Sequence, residues 1–195
     1  MPSLSKSVAG EPRVLVVCTA NISRSPTVEL LLRSGLGDTV NVGSAGVMAL
    51  AGHPLDAKMT GYLRTAGLDP DGFVARQVTA DLLRAANLVL TLTREHRSRV
   101  LELVPANVRR SFTLVEFARV LGSLDLSALP TGLTPGERLW QILPLAIAGR
   151  PLAPRPRGKS DDIVDPFGRS AAVYDEAFAG IRDASTQIVQ IVCGD

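Results

Sequence analysis

The chain alternates short unbroken apolar runs with stretches in which apolar residues return every three or four positions. Val14-Leu15-Val16-Val17 is the first such run, and apolar residues at successive positions predict a strand covered on both faces. Residues 25–35 then read as a helix, with Pro26 in the first turn, Leu30, Leu31 and Leu32 as apolar surface and Gly35 near the end. Val40 to Val42 predicts a second strand, ended by a Gly43-Ser44-Ala45-Gly46 turn. Helices are expected over 56–66, closed by Gly67, over 79–86, capped by Thr79, and over 94–103, with a third strand at 88–92 between the last two. Thr113 and Leu114 predict a short fourth strand running into a helix over 115–121. Val173, Phe178, Ile181, Ile188 and Ile191 mark a long last helix over 170–192. Such alternation predicts an α/β three-layer sandwich, a central four-stranded parallel sheet with helices on both faces.

One stretch breaks the rhythm. Residues 122–162 are proline-rich, and the tail from Arg150 to Lys159 cannot be a helix or a central strand. Within it Thr134-Pro135-Gly136-Glu137 has capping-box spacing, which predicts a short helix from Glu137 to Leu143 carrying Trp140. The rest reads as irregular and exposed: a solvated connection packed against the domain, with a lid or partner surface as the alternative. The expected organisation is a flexible segment over 1–12 and a single domain over 13–195 that carries this insertion.

Composition narrows the function. At 195 residues with 46% apolar composition the chain is long enough for one sizeable core. A net charge of +2 with scattered basic residues gives no electrostatic footprint for nucleic acid. The two cysteines, Cys18 and Cys193, lie far apart, so neither a disulfide framework nor a metal site is expected. No signal peptide or membrane span is evident, and a reducing, cytoplasmic setting follows as the expectation.

The chemistry gathers between Cys18 and Pro26, in Cys18-Thr19-Ala20-Asn21-Ile22-Ser23-Arg24-Ser25-Pro26. A thiol ends a buried strand, an arginine starts a helix, and the loop between is long enough to curl its N–H groups around an oxyanion. The helix N-terminus and the guanidinium favour thiolate over thiol. Ser25 is placed to donate to the sulfur, and the planar fork of Arg24 suits two phosphoryl oxygens. A proton donor for a leaving oxygen must come from elsewhere. Asp165 is the best candidate, since Pro166 stiffens its turn and Phe167 can line a wall for an aromatic ring. Asp161 and Asp162 lack these neighbours. His53 and His96 read as surface or capping residues and Cys193 as a bland terminal one. Arg76 reads as a solvated loop charge or as a support of the site.

Cys-x-x-Asn-x-x-Arg-Ser-Pro, Ser44-Ala45-Gly46, Ala75-Arg76-Gln77-Val78-Thr79 and Asp165-Pro166-Phe167-Gly168, in that order, resemble the low-molecular-weight protein tyrosine phosphatases. The resemblance implies hydrolysis of phosphotyrosine in proteins through a cysteinyl phosphate, without metal or other cofactor. Cys18 would be the nucleophile, Arg24 the phosphate clamp and Asp165 the general acid and then base. Thr19, Ala20, Asn21, Ile22, Ser23 and Ser25 would form the phosphate loop, Ser44 would support Asn21, and Phe167 would be the substrate wall. The chain departs from the family pattern at Ala20, where glycine is usual, and at Ser23, often a second cysteine. It departs again at Phe73, often a histidine, which weakens the network behind Asn21, and in lacking an aromatic after Gly46. Two other readings stay open: an arsenate reductase using an external low-molecular-weight thiol, and a non-catalytic phosphoprotein-binding module.

Overall fold

The computed structural model describes residues 10–154 and 161–194; most of the segment expected to be flexible and the proline-rich tail from Arg155 on lie outside the described residues. Four parallel strands, β1 (Arg13–Cys18), β2 (Asn41–Gly46), β3 (Leu88–Thr91) and β4 (Ser111–Thr113), lie in the order β2-β1-β3-β4. β1 is central and buried from Val14 onward, as its uninterrupted apolar run requires. Val14, Val16 and Cys18 face a layer built from α1 (Arg24–Leu36), α5 (Leu114–Leu121), α6 (Pro135–Gly149) and α7 (Ala171–Cys193). Leu15 and Val17 face the opposite layer, α3 (Ala80–Ala85) and α4 (Arg94–Leu103), through Leu83, Val100 and Val104. The short α2 (Ala57–Thr65) rides on α7, with Met59 and Leu63 against Tyr174 and Phe178. The chain leaves β1 for β2 on one side and takes up β3 on the other. That reversal opens a crevice at the carboxyl end of β1, the position where open α/β sheets bind ligands. Cys18 stands there.

Two expectations need correction. The turn expected at 43–46 is the second half of β2, paired in register with β1 as Val16 with Ser44 and Cys18 with Gly46. Glycine and serine disguise the strand because Gly46 must be bare: a Cβ there would run into the Thr19 carbonyl. Likewise α6 is not a short helix over 137–143 but extends from Pro135 to Gly149, straight through Pro144. The proline removes one backbone donor, and burial of Leu139, Ile142, Leu143 and Ala146 in the main core outweighs that loss. Its N-terminus is the expected capping box, with Glu137 N donating to Thr134 Oγ1 at 3.3 Å and Thr134 N donating to Glu137 Oε2 at 2.9 Å.

Candidate active site

β1 delivers Cys18 to the crevice, and the five residues after it form a bend that enters α1 at Arg24. The carbonyls of Cys18, Thr19, Ala20 and Ile22 are taken by backbone donors of the loop that follows β2. Val47 N donates to Cys18 O at 2.9 Å, Met48 N to Thr19 O at 3.0 Å, Leu50 N to Ala20 O at 3.0 Å and Asp56 N to Ile22 O at 2.6 Å. Among the described residues no partner accepts from the N–H groups of Thr19 through Arg24, although Asn21 to Arg24 are buried. Buried backbone donors are nearly always satisfied, so a run of free ones at a helix N-terminus is a site for an anion. Asn21 makes the bend possible at φ 57°, and it alone among the described non-glycine residues has a positive φ. Ala20 keeps a negative φ, so alanine in place of the usual glycine sits there without strain.

Beneath the bend, Cys18 is buried and its Sγ lies 2.9 Å from Ser25 Oγ. The direction of that bond follows from the neighbours. Arg76 N donates to Asn21 Oδ1 at 2.9 Å, which orients the amide so that Nδ2 faces Ser25 Oγ at 2.9 Å and Ser44 Oγ at 2.8 Å. With its oxygen accepting from Asn21, Ser25 has its proton free for the sulfur. Ser44 in turn donates to Glu29 Oε2 at 2.6 Å. Two arms diverge from the Asn21 amide nitrogen, one through Ser44 to the Glu29 carboxylate and one through Ser25 to sulfur, and the second arm brings an O–H donor to the thiol.

Arg24 is 4% exposed and reaches across to the segment that precedes α7. Its Nη1 donates to Ile163 O at 3.2 Å and its Nη2 lies 2.5 Å from Asp165 Oδ2. Asp165, the expected acid, is thus brought to the thiol loop from 141 positions away, with its side chain half exposed and Oδ1 accepting from Phe167 N at 3.2 Å. The residues just before it are tied down one after another. Asp161 Oδ2 accepts from Arg119 Nη2 at 2.9 Å, Asp162 Oδ1 from Arg94 N at 2.8 Å, and Ile163 N donates to Leu92 O at 2.8 Å. Asp161 and Asp162 are anchors. Phe167 stands 54% exposed beside the crevice.

The family model of the low molecular weight phosphotyrosine protein phosphatase matches residues 13–127. This chain belongs to that family. The low molecular weight protein-tyrosine-phosphatase Etp of Escherichia coli K12 is 41% identical over 92 residues, 47% of this chain and 62% of that protein. The probable low molecular weight protein-tyrosine-phosphatase EpsP of Ralstonia nicotianae is 36% identical over 103 residues, 53% of this chain and 70% of that protein. The match to Etp therefore spans less than two thirds of its length. Among solved structures, the tyrosine phosphatase AmsI of Erwinia amylovora superposes with a TM-score of 0.68 at 22% identity, covering 96% of this chain and 97% of its own. The YwlE arginine phosphatase of Geobacillus stearothermophilus gives 0.67 at 24% identity, covering 92% and 91%. At those identities the likeness concerns the fold. The family-model match ends at residue 127, before Asp165, whose place rests on the geometry above.

Set against the phosphatase pattern, the departures have physical answers. Phe73 packs with Leu30, Tyr62 and Leu68 in the small core under α2. The network behind Asn21 is nonetheless closed, by Glu29 and by Arg76, whose Nε donates to Ser44 O at 2.7 Å. Ser23 is buried with an unpartnered Oγ, and neither of the described cysteines, Cys18 and Cys193, is in a disulfide. Met48 and Leu50, exposed by 74% and 42%, follow Gly46 along the bend where some relatives carry an aromatic. Three further residues belong to the site's surroundings. Glu29 is masked in the sequence by looking like an ordinary exposed helix position. Arg76 was one of two open readings. His96 was expected at the surface, yet it is 5% exposed, with Nε2 2.8 Å from Thr19 Oγ1. Burial first, and the Arg24 charge second, push its pKa down to about 4, against the pull of Asp165 and Asp162. Among the described residues no group of three or more His, Cys, Asp or Glu is placed to hold a metal ion, and no helix is long and apolar enough to cross a membrane.

Proposed function

We propose that this chain hydrolyses phosphotyrosine in proteins, and aryl phosphates in vitro, through a cysteinyl phosphate. The observation that carries the reading is the convergence on one crevice of a thiol hydrogen-bonded to Ser25, a ring of free N–H groups and an arginine paired with a carboxylate on a separate loop. Cys18 Sγ attacks phosphorus as thiolate, forming the S–P bond while the ester P–O bond breaks. Protonated Asp165 gives its proton to the leaving oxygen. The resulting carboxylate then takes a proton from water as the water oxygen bonds phosphorus and the S–P bond breaks, with Ser25 stabilising the departing thiolate. N–H groups of Thr19 to Arg24 and the guanidinium of Arg24 hold the phosphoryl oxygens; fixed in advance, they need little reorganisation as charge spreads. Asn21 and Ser44 keep Ser25 aimed at sulfur, and Phe167 receives the ring. The substrate is a phosphoprotein, no cofactor takes part, and the reducing setting such a thiol needs is the cytoplasm.

The test is turnover of aryl phosphates that differ in their leaving group. Cys18→Ser is expected to abolish turnover. Asp165→Asn is expected to slow phenyl phosphate by about a hundredfold or more, and p-nitrophenyl phosphate, whose leaving group needs less protonation, far less. Equal slowing of both would remove Asp165 as the acid. Phosphoarginine hydrolysis in preference to phosphotyrosine, arsenate reduction with an external thiol, or phosphopeptide binding without phosphate release would each replace the reading.

A further inference from the structure

We propose that His96 donates from its Nε2–H to Thr19 Oγ1 and thereby turns the Thr19 hydroxyl proton into the anion cradle, making Thr19 a side-chain donor to the bound phosphoryl group. The inference rests on the phosphatase reading and adds a binding residue, Thr19, and a positioning residue, His96. It starts from a satisfaction problem. His96 lies on the first turn of α4, where its backbone N donates to Thr93 Oγ1 at 3.1 Å. Its ring is buried, Nε2 has Thr19 Oγ1 at 2.8 Å, and Nδ1 has no hydrogen-bond partner. The ring could carry its proton on either nitrogen. A proton on Nδ1 would leave a buried N–H donor with nothing to receive it, whereas a proton on Nε2 leaves only an unfilled lone pair, the cheaper of the two defects. The partners therefore assign the Nε2–H tautomer. With a pKa pushed down to about 4 by burial and by Arg24, the ring stays neutral at ordinary pH, and Nδ1 remains bare.

The consequence falls on Thr19. Its oxygen is occupied as an acceptor, and among the described residues Thr19 Oγ1 has no other partner. Its own proton is free. Thr19 follows Cys18 directly, its N–H opens the row of free donors, and it is only half buried. The imidazole beside it lies within the fields of Arg24, Asp165 and Asp162. A hydroxyl held there by a neutral donor adds one oriented O–H to an existing ring of N–H groups. A protonated ring could not do this without stranding a second N–H.

The experiment measures binding of inorganic phosphate by calorimetry together with kcat/KM on p-nitrophenyl phosphate. The variants are Thr19→Val, Thr19→Ser, His96→Leu, His96→Gln and the double variant Thr19→Val/His96→Leu. Thr19→Val, close in shape and partly exposed, is expected to fold normally and to lose about five- to tenfold in both phosphate affinity and kcat/KM, with Thr19→Ser near wild type. His96→Leu is expected to lose a similar factor, His96→Gln, which keeps an N–H donor, to recover part of it, and the double variant to be no worse than Thr19→Val alone. Nitrogen-15 NMR of the wild type is expected to show Nε2 protonated and Nδ1 bare. Phosphate affinity unchanged in Thr19→Val, additive losses in the double variant, or a proton found on Nδ1 would overturn the proposal. Should His96→Leu fail to fold, Thr19→Val and the NMR assignment still decide it. Failure here is distinct from failure of the phosphatase reading: the latter would show as wild-type protein without turnover, the former as active wild type indistinguishable from Thr19→Val.

Discussion

On one side of Cys18 the side chains of Asn21, Ser25 and Ser44 take their direction from one bond that admits a single orientation, the Arg76 N–H donated to Asn21 Oδ1. From that bond the amide, Ser44, Glu29 and Ser25 are ordered in turn, and the last free proton is left for sulfur. His96 plays the corresponding part on the other side of the loop. A titration consequence follows with a definite sign. The unfolded chain binds a proton on this ring below about pH 6.5, whereas the folded protein resists until about pH 4, so the unfolded state holds more protons between those values. Stability contributed by the neutral ring is complete above the upper value and is lost as pH falls through the window, by about 3 kcal/mol in all. Urea unfolding at pH 7 and pH 5 is expected to show about 2 kcal/mol of that loss in the wild type and a flatter profile in His96→Gln. Equal slopes would place the ring in solvent. At this scale the sequence was legible where residue type determines the chemistry: Cys18, Arg24, Ser25 and Asp165 could be read directly. It was silent on Glu29 and His96, since a helix position with polar neighbours looks alike whether it faces water or the underside of a loop.

Among the elements, the strands were legible wherever both faces are greasy, as in β1 and β3. β2 was half hidden, because a strand that must pass close under the thiol loop spends its last positions on Gly43, Ser44 and Gly46. The extent of α6 was hidden by Pro144. Local rules end a helix there, and only the core shared with α5 and α7 carries it on. If α6 is part of the domain's core, Ile142→Ala should destabilise the whole protein by about 3 kcal/mol, read as a lowered urea midpoint in a single cooperative transition. A separate early transition of α6 with the rest unaffected would make it an appendage.

For the molecule as a whole, the strand order fixes where chemistry can occur, and a second device fixes the acid against it. Arg119 on α5 donates from Nη1 to Pro154 O and from Nη2 to Asp161 Oδ2, each at 2.9 Å, so one side chain grips the chain on both sides of residues 155–160. Four positions after this grip comes Asp165. Arg119→Met is therefore expected to slow phenyl phosphate by about fivefold or more while leaving p-nitrophenyl phosphate within about twofold, because misplacing the acid matters only where the leaving group needs a proton. Equal effects on both substrates would show that the grip serves folding alone. The four-stranded sheet and its helices were predictable from periodicity; this clamp, formed between residues 35 and 42 positions apart, was not. The central claim concerns one covalent bond, and acid-quenched mass spectrometry of the protein during turnover of an aryl phosphate reads it directly. The account predicts a phosphoryl adduct located on Cys18 and absent from Cys18→Ser. Turnover with no adduct on Cys18, or turnover that survives Cys18→Ser, would contradict it.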